Sequence, residues 1–433
     1  MREMMKSLLL TLLVVGSLVQ SYYLIYRLPG GDSVTKTENK YIKTDNMGPE
    51  EKVENLIYPD KMLIHLGEGK HTAFYPNSTF YNLIYSRLKG RSFESFQRIA
   101  SENTDWNKIR NEDPGIELTF SQGIPVSLLQ RVMQIQSDSL FDAEQINRIW
   151  IYTVPNETKA HALFFSTEGH VVYEAGKVDL TVQDVQQHVD FGKNWTPYSL
   201  VANGDYYIPE KNMDMVEADM DISVYTDEQM RSSLFFDPGI TRYIQEKDGS
   251  QIYTDTKRSL QVRQEENWMS YSDPSAPPAG ESSTDKDVLA AVDFVNEHGG
   301  WNGIYRLGLS GTSLQKSQVV FQQYYGAYPI LDTPNFHYGT MKLDLERGNV
   351  SAYERSLIYT KQEAQTKRMK KLAGGSVLKA ELAEIAKSSR IEDLYPAYVP
   401  LLTEEGLHLS PVWAVKLSNG AIKTISELGN IEQ

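Results

Sequence analysis

Residues 7–26, SLLLTLLVVGSLVQSYYLIY, constrain this chain more than any other stretch, because none of them is charged. Twenty residues at about 1.5 Å each give roughly 30 Å of helix, the thickness of a bilayer's hydrocarbon core. Tyr22, Tyr23 and Tyr26 cluster at the far end, where amphipathic rings favour the headgroup layer. A cleaved secretory signal has the same basic start and apolar middle, but it is shorter and ends in small residues; Val19-Gln20-Ser21 is a poor cleavage site. The expectation is therefore an uncleaved, single-pass anchor in residues 1–29. Arg2 and Lys6 favour a cytoplasmic N-terminus, although Arg27, Lys36, Lys40 and Lys43 lie beyond the span. A tail of six residues holds no domain, so the bulk of the chain is expected outside the cell.

Within the span, Gly16, Ser17, Gln20 and Ser21 share one side of the outer half. Small residues let helices approach, and a side-chain amide bonds across them, so these four are the candidate intramembrane contact. The alternative is that Gln20 sits at the interface with the tyrosines.

The remaining chain is acidic: 43 Lys and Arg against 57 Asp and Glu give a net charge of −14. That balance argues against nucleic acid and against charge-held anionic lipid. With no cysteine, disulfides, thiolate nucleophiles and lipoprotein attachment are excluded. Twenty-six tyrosines suit a strand-rich protein.

Residues 30–52 have few apolar side chains and read as a flexible polar stalk. An α+β domain is expected over 53–178. It has a strand near 62–65, a helix at 79–88, a strand at 116–120 after Asp113-Pro114-Gly115, a helix opened by Pro125 with a stripe of Leu128, Leu129, Val132 and Ile135, and three closing strands within 148–175. A second α+β domain, 179–273, starts with a helix at 181–189 and ends in an antiparallel meander after Phe235. Residues 274–283 hold Pro and Ser without bulky apolar side chains, which marks a linker. A third domain, 284–433, opens with Thr284 and Asp287 as a helix start and repeats the order of helix then antiparallel strands. The expected fold class is α+β: a transmembrane helix, then three extracytoplasmic α+β domains, the last two alike.

No catalytic set emerges. The eight histidines are scattered, and neither H-E-x-x-H nor G-x-S-x-G occurs. Ser313 with Lys316 and Ser376 with Lys379 match S-x-x-K without the partner motifs of serine acyl-enzymes. The acidic run 214–227 lacks the glycine and terminal glutamate of an EF-hand. No catalytic, metal or cofactor residue is therefore assigned. The basic run 361–371, KQEAQTKRMKK, stands out in an acidic chain, with Lys361, Lys367, Arg368, Lys370 and Lys371 as a candidate partner surface; its ordinary reading is a solvated helix face.

Several runs resemble one family in order and spacing. They are 114–118 (PGIEL), Phe235-Phe236-Asp237-Pro238, 248–255 (DGSQIYTD), 294–301 (FVNEHGGW), 320–329 (VFQQYYGAYP) and 411–415 (PVWAV). Together with the anchor they are similar to the YycH family across nearly the whole chain. Gln322 departs from the pattern, which tends to have arginine there. The resemblance implies a membrane-anchored accessory protein of low-GC Gram-positive bacteria that acts with YycI on the sensor histidine kinase WalK (YycG), which controls cell-wall metabolism. It also implies three outer domains, and kinase contact through the transmembrane helix. A homodimer is left open by the sequence. A cell-wall-binding or scaffolding protein and an extracytoplasmic serine acyl hydrolase are the competing classes.

Overall fold

The computed structural model describes residue 6 and residues 13–17, 47–100, 105–167, 171–201, 206–274, 283–312, 316–334, 336–346, 348–361 and 363–429. The chain divides into two units, 1–43 and 44–433. In the first unit, residues 13–17 are helical, and Leu13, Val14 and Val15 are each more than half exposed. No helix of the described residues is long and apolar enough to cross a membrane. Most of the expected span, 7–26, lies outside the described residues.

The second unit is α+β. Its first sheet has ten strands, in the order Tyr207–Pro209, Tyr198–Leu200, Lys70–Phe74, Lys61–Gly67, Gly115–Pro125, Gln145–Thr153, Ala160–Ser166, Val171–Val178, Ser92–Ala100 and Gln134–Ile135. Only the last pair is parallel. Side chains alternate across a strand. Met62, Ile64, Ile116, Leu118, Ile149 and Ile151 therefore face one core, which also takes Ile84 and Leu88 of helix Thr79–Lys89 and Val185 and Val189 of helix Val182–Asp190. The residues between them in sequence, among them Leu63, Glu117 and Trp150, occupy the other face in register with one another.

A nine-stranded antiparallel sheet follows. Its main path runs Arg242–Gln245, Gln251–Thr254, Ser259–Arg263, Trp268–Ser272, Asn349–Ser356, Thr340–Glu346, Lys316–Tyr325 and Ile304–Thr312. Helix Thr284–Glu297 lays Val288, Ala291, Val292 and Val295 into the same core that the first sheet uses. A five-stranded sheet orders Thr366–Leu372, Met213–Met220, Gly406–Leu417 and Ile391–Thr403, with Ile422–Thr424 paired to Gly406–Leu417. Helix Gly375–Ser388 covers it through Leu378, Leu382 and Ile385.

Local expectations hold where periodicity is strong: the helix at 79–88 is Thr79–Lys89, and Thr181 caps the helix expected at 181–189 with a full capping box. Three expectations change. Ile135 is not on the helix opened by Pro125, which ends at Val132; it lies on Gln134–Ile135, pairing with Phe93. The run 361–371 is no helix but leads into strand Thr366–Leu372. The expected boundary at 274–283 does not separate sheets: Trp268–Ser272 pairs with Asn349–Ser356, Tyr271 opposite Tyr353, and Met213–Met220 pairs with Thr366–Leu372. Strands from the expected second and third domains interleave because each amphipathic strand is completed by a neighbour distant in sequence. No local signal names that neighbour.

Candidate functional site

Two features bear on how this chain could meet a partner. The first is where the expected stalk ends. Residues 47–51 are not free: they lie along the end of helix Thr284–Glu297. The Glu51 N–H donates to Asn296 Oδ1 at 2.9 Å, and Asn296 Nδ2 returns a bond to the Glu51 carbonyl at 2.9 Å. The Trp301 N–H donates to the Pro49 carbonyl at 3.0 Å, and its indole donates to Asn296 Oδ1 at 2.7 Å. Tyr225 donates to the Met47 carbonyl at 3.1 Å.

Backbone shape makes this seat. Gly299 and Gly300 have φ of +116° and +67°, a region glycine enters without steric cost. A Cβ on Gly300 would stand 2.3 Å from the Gly48 carbonyl oxygen. Behind the turn Arg355, 1% exposed, donates to the Gly300 carbonyl and the Tyr353 hydroxyl, each at 3.1 Å. The run Asn296-Glu297-His298-Gly299-Gly300-Trp301 thus has a structural task that sequence reasoning missed. The adjacent glycines beside a tryptophan were the available signal.

The second feature joins the two charged runs. Strand Thr366–Leu372 pairs antiparallel with Met213–Met220, placing the basic run against the acidic one. Arg368 Nη2 donates to Asp219 Oδ2 at 2.9 Å, and Lys370 Nζ donates to Glu217 Oε1 at 3.3 Å. His408 from Gly406–Leu417 lies 2.5 Å from Asp219 Oδ1, and Thr366 donates to the same carboxylate. The Thr366 hydroxyl first, then His408 and Arg368, hold the Asp219 carboxyl well below the usual carboxylate range. Opposite charges on facing strands attract, which is the cross-strand reason a polar run becomes a strand here.

Thr366–Leu372 is an edge strand, so its outer backbone groups face away from the sheet. Lys361, Lys367 and Lys371 are exposed and make no ion pair among the described residues, and Met369 is 67% exposed. Such an edge can accept an extended acidic segment as a further strand; its lysines also guard against indiscriminate edge pairing. Among the described residues no group of three or more His, Asp or Glu side chains is placed to hold a metal.

Other expected residues are placed as follows. Gly16 and Ser17 are exposed on the described helical turn, and a Cβ on Gly16 would meet nothing within 4 Å; Gln20 and Ser21 lie outside the described residues. Ser376 and Lys379 are exposed on helix Gly375–Ser388, and Ser313 lies outside the described residues. Gln322 donates to the Gly339 carbonyl at 2.8 Å and to the Ile330 carbonyl, so this position ties backbone together.

Residues 3–191 match the family model described as YycH protein, N-terminal domain, and residues 203–428 match YycH protein, C-terminal domain. The chain belongs to the YycH family. A curated YycH relative from Bacillus subtilis (strain 168), named two-component system WalR/WalK regulatory protein YycH, is 21% identical over 454 residues; the match covers 98% of this chain and 97% of the relative. The crystal structure of YycH from Bacillus subtilis superposes with a TM-score of 0.69 at 19% identity, covering 87% of this chain and 98% of that one, so the two share a fold.

Proposed function

We propose that this chain is a non-enzymatic, membrane-anchored regulator of the WalK (YycG) sensor histidine kinase, acting with YycI in the control of cell-wall metabolism. Residues 7–26 are its single-pass anchor, with the N-terminus cytoplasmic and the body outside the cell. The name of the Bacillus subtilis relative, a two-component system WalR/WalK regulatory protein, supports a role in that system.

The observation that carries the reading is the seat of residues 47–51 against Asn296 and Trp301. A regulator that works through both a membrane helix and an outer body needs the chain between them held by the body, so that a partner on one biases the other. Coupling of this kind is typically about 1–3 kcal/mol. A single interhelical bond from Gln20 supplies about 0.6–2 kcal/mol, so coupling at the upper end of that range needs the outer body as well. Anchoring in one membrane raises the effective concentration of kinase and regulator, which lets a modest outer interface such as the basic edge strand be occupied.

The test is a membrane crosslinking pull-down with the kinase and YycI. It compares the full chain with a version in which residues 1–29 are replaced by an unrelated anchor. Capture lost with the swap assigns the contact mainly to residues 7–26, with the body tuning it; capture retained assigns it to the body. No capture by either protein sinks the kinase reading.

A further inference from the structure

A cavity of about 740 Å³ opens on the second face of the ten-stranded sheet, and none of the features above uses it. Strands Lys61–Gly67, Gly115–Pro125 and Gln145–Thr153 form its floor. Helix Trp106–Glu112 lies on one side, and the base of the hairpin made by Ile391–Thr403 and Gly406–Leu417 on the other. The volume falls within the range of small-molecule sites.

Its charge runs against that of the chain. Lys61, Arg110, Arg148, Arg390 and Lys416 line it, against Asp105, Glu117, Glu392 and Asp393. The acids are engaged within the protein. Lys61 pairs with Asp393, Arg148 Nε lies 3.1 Å from Glu117 Oε1, and Lys416 lies 3.7 Å from Glu392. Asp105 caps the helix, accepting from the Lys108 N–H at 3.0 Å. Arg390 is exposed at the rim and meets no carboxylate among the described residues.

Glu117 is fixed from behind as well as in front. His65 Nε2 lies 3.0 Å from its other oxygen, and His71 lies 3.0 Å from His65 Nδ1. Burial works against ionisation of Glu117, but Arg148 and His65 more than offset it and hold the carboxyl well below its usual range. A fixed negative charge is thus neutralised in place by Arg148, as Asp393 and Glu392 are by Lys61 and Lys416, and Arg390 is left as a lining cation that meets no carboxylate among the described residues.

Two polar groups on the floor make no hydrogen bond among the described residues: the Trp150 indole N–H, on a residue 0% exposed, and the Thr119 hydroxyl. Both residues line the cavity from beneath its surface, so the Trp150 indole senses what occupies it. Trp106 and Phe165, half-buried with ring centroids 5.1 Å apart, add an apolar shelf.

We propose that this cleft binds a small organic oxyanion, a carboxylate- or phosphate-bearing molecule with an apolar or hydroxylated body. Electrostatic selection comes from the lining cations, and Arg390 takes part in none of the internal ion pairs among the described residues, so its removal leaves them intact. This ligand site is independent of the kinase reading.

The test is calorimetric titration of the full chain in a neutral detergent with citrate, with glucose 6-phosphate and with glucose, following the Trp150 indole resonance in parallel. That resonance is assigned by its loss in Trp150→Phe. Saturable binding of citrate identifies the carboxylate source, and of glucose 6-phosphate the phosphate source. In either case Arg390→Glu is expected to weaken binding about tenfold or more and the indole resonance to shift. The proposal is overturned if neither anion saturates by about 10 mM, if glucose binds as well as the anions, if Arg390→Glu leaves affinity unchanged, or if the indole resonance stays still.

Discussion

Arg306 and Asp60 form an ion pair in the interior, joining strand Ile304–Thr312 of the nine-stranded sheet to the residue that leads into Lys61–Gly67 of the first sheet. Arg306 is 4% exposed; its Nε donates to the Tyr58 carbonyl at 2.8 Å, and Tyr324 donates to Asp60 at 3.3 Å. Ser121 donates to the same carboxylate through both its backbone and its hydroxyl. A charge taken out of water persists only when paired and hydrogen-bonded, so this cluster locks the two sheets in one arrangement.

Arg306→Met removes one partner and leaves Asp60 uncompensated. Breaking a buried pair in this way costs about 3–5 kcal/mol, to be read from urea unfolding followed by circular dichroism. Arg306→Met combined with Asp60→Asn should recover part of that loss. An unchanged urea midpoint in the single variant would show the pair to be dispensable.

Gly300→Ala should release the segment 47–51. The new Cβ would meet the Gly48 carbonyl at 2.3 Å, and the position has φ +67°. Alanine at positive φ destabilises by more than about 1 kcal/mol. Hydrogen exchange at the Trp301 amide, which donates to Pro49, should rise, with little change in the five-stranded sheet.

Stability should fall with acid between about pH 6.5 and 4. Burial pulls His298 down to about 4, with its bond to the Ser233 carbonyl opposing. The unfolded chain therefore binds a proton in this window that the folded chain does not. Stability is fully present above the unfolded pKa and is lost as pH falls toward the folded one. For His298 the whole window is worth on the order of 3 kcal/mol. His71, also pulled down to about 4 by burial and then by His65, acts in the same direction. Urea unfolding at a series of pH values should show His298→Asn with a shallower acid slope than the unaltered chain.

Lys367→Glu with Lys371→Glu should lower thermal stability only slightly: neither lysine makes an ion pair among the described residues, although Lys371 stands opposite Asp214 in the strand pair. If the edge strand docks the kinase or YycI, crosslinked capture falls about fivefold as complementary charge turns repulsive. Equal capture would remove this strand from the interface.

Much of the local structure was legible in the sequence. The stripe Val288, Val292 and Val295 marked its helix, and the Ser418-Asn419-Gly420 turn separated strands that do pair. The basic run 361–371 was legible as an oddity but not as a strand. Its exposed side chains carry no apolar period, and only the acid-bearing Met213–Met220 makes it one. The cleft was hidden for a related reason: Glu117, Arg148 and Trp150 are far apart in sequence, and alternation in their strands shows only that they face away from the core.

The sequence by itself determined many of the elements, such as helices Thr79–Lys89 and Val182–Asp190 and the apolar face of each, and that the body must be held without disulfides. Tertiary structure alone decided that strands on either side of 274–283 share three sheets, that residues 47–51 seat on Trp301, and that one sheet face becomes the floor of a cleft. Periodicity is set by neighbours in the chain. Pairing is set by which distant surfaces bury each other's backbone groups and charges, and the order of residues does not write that down.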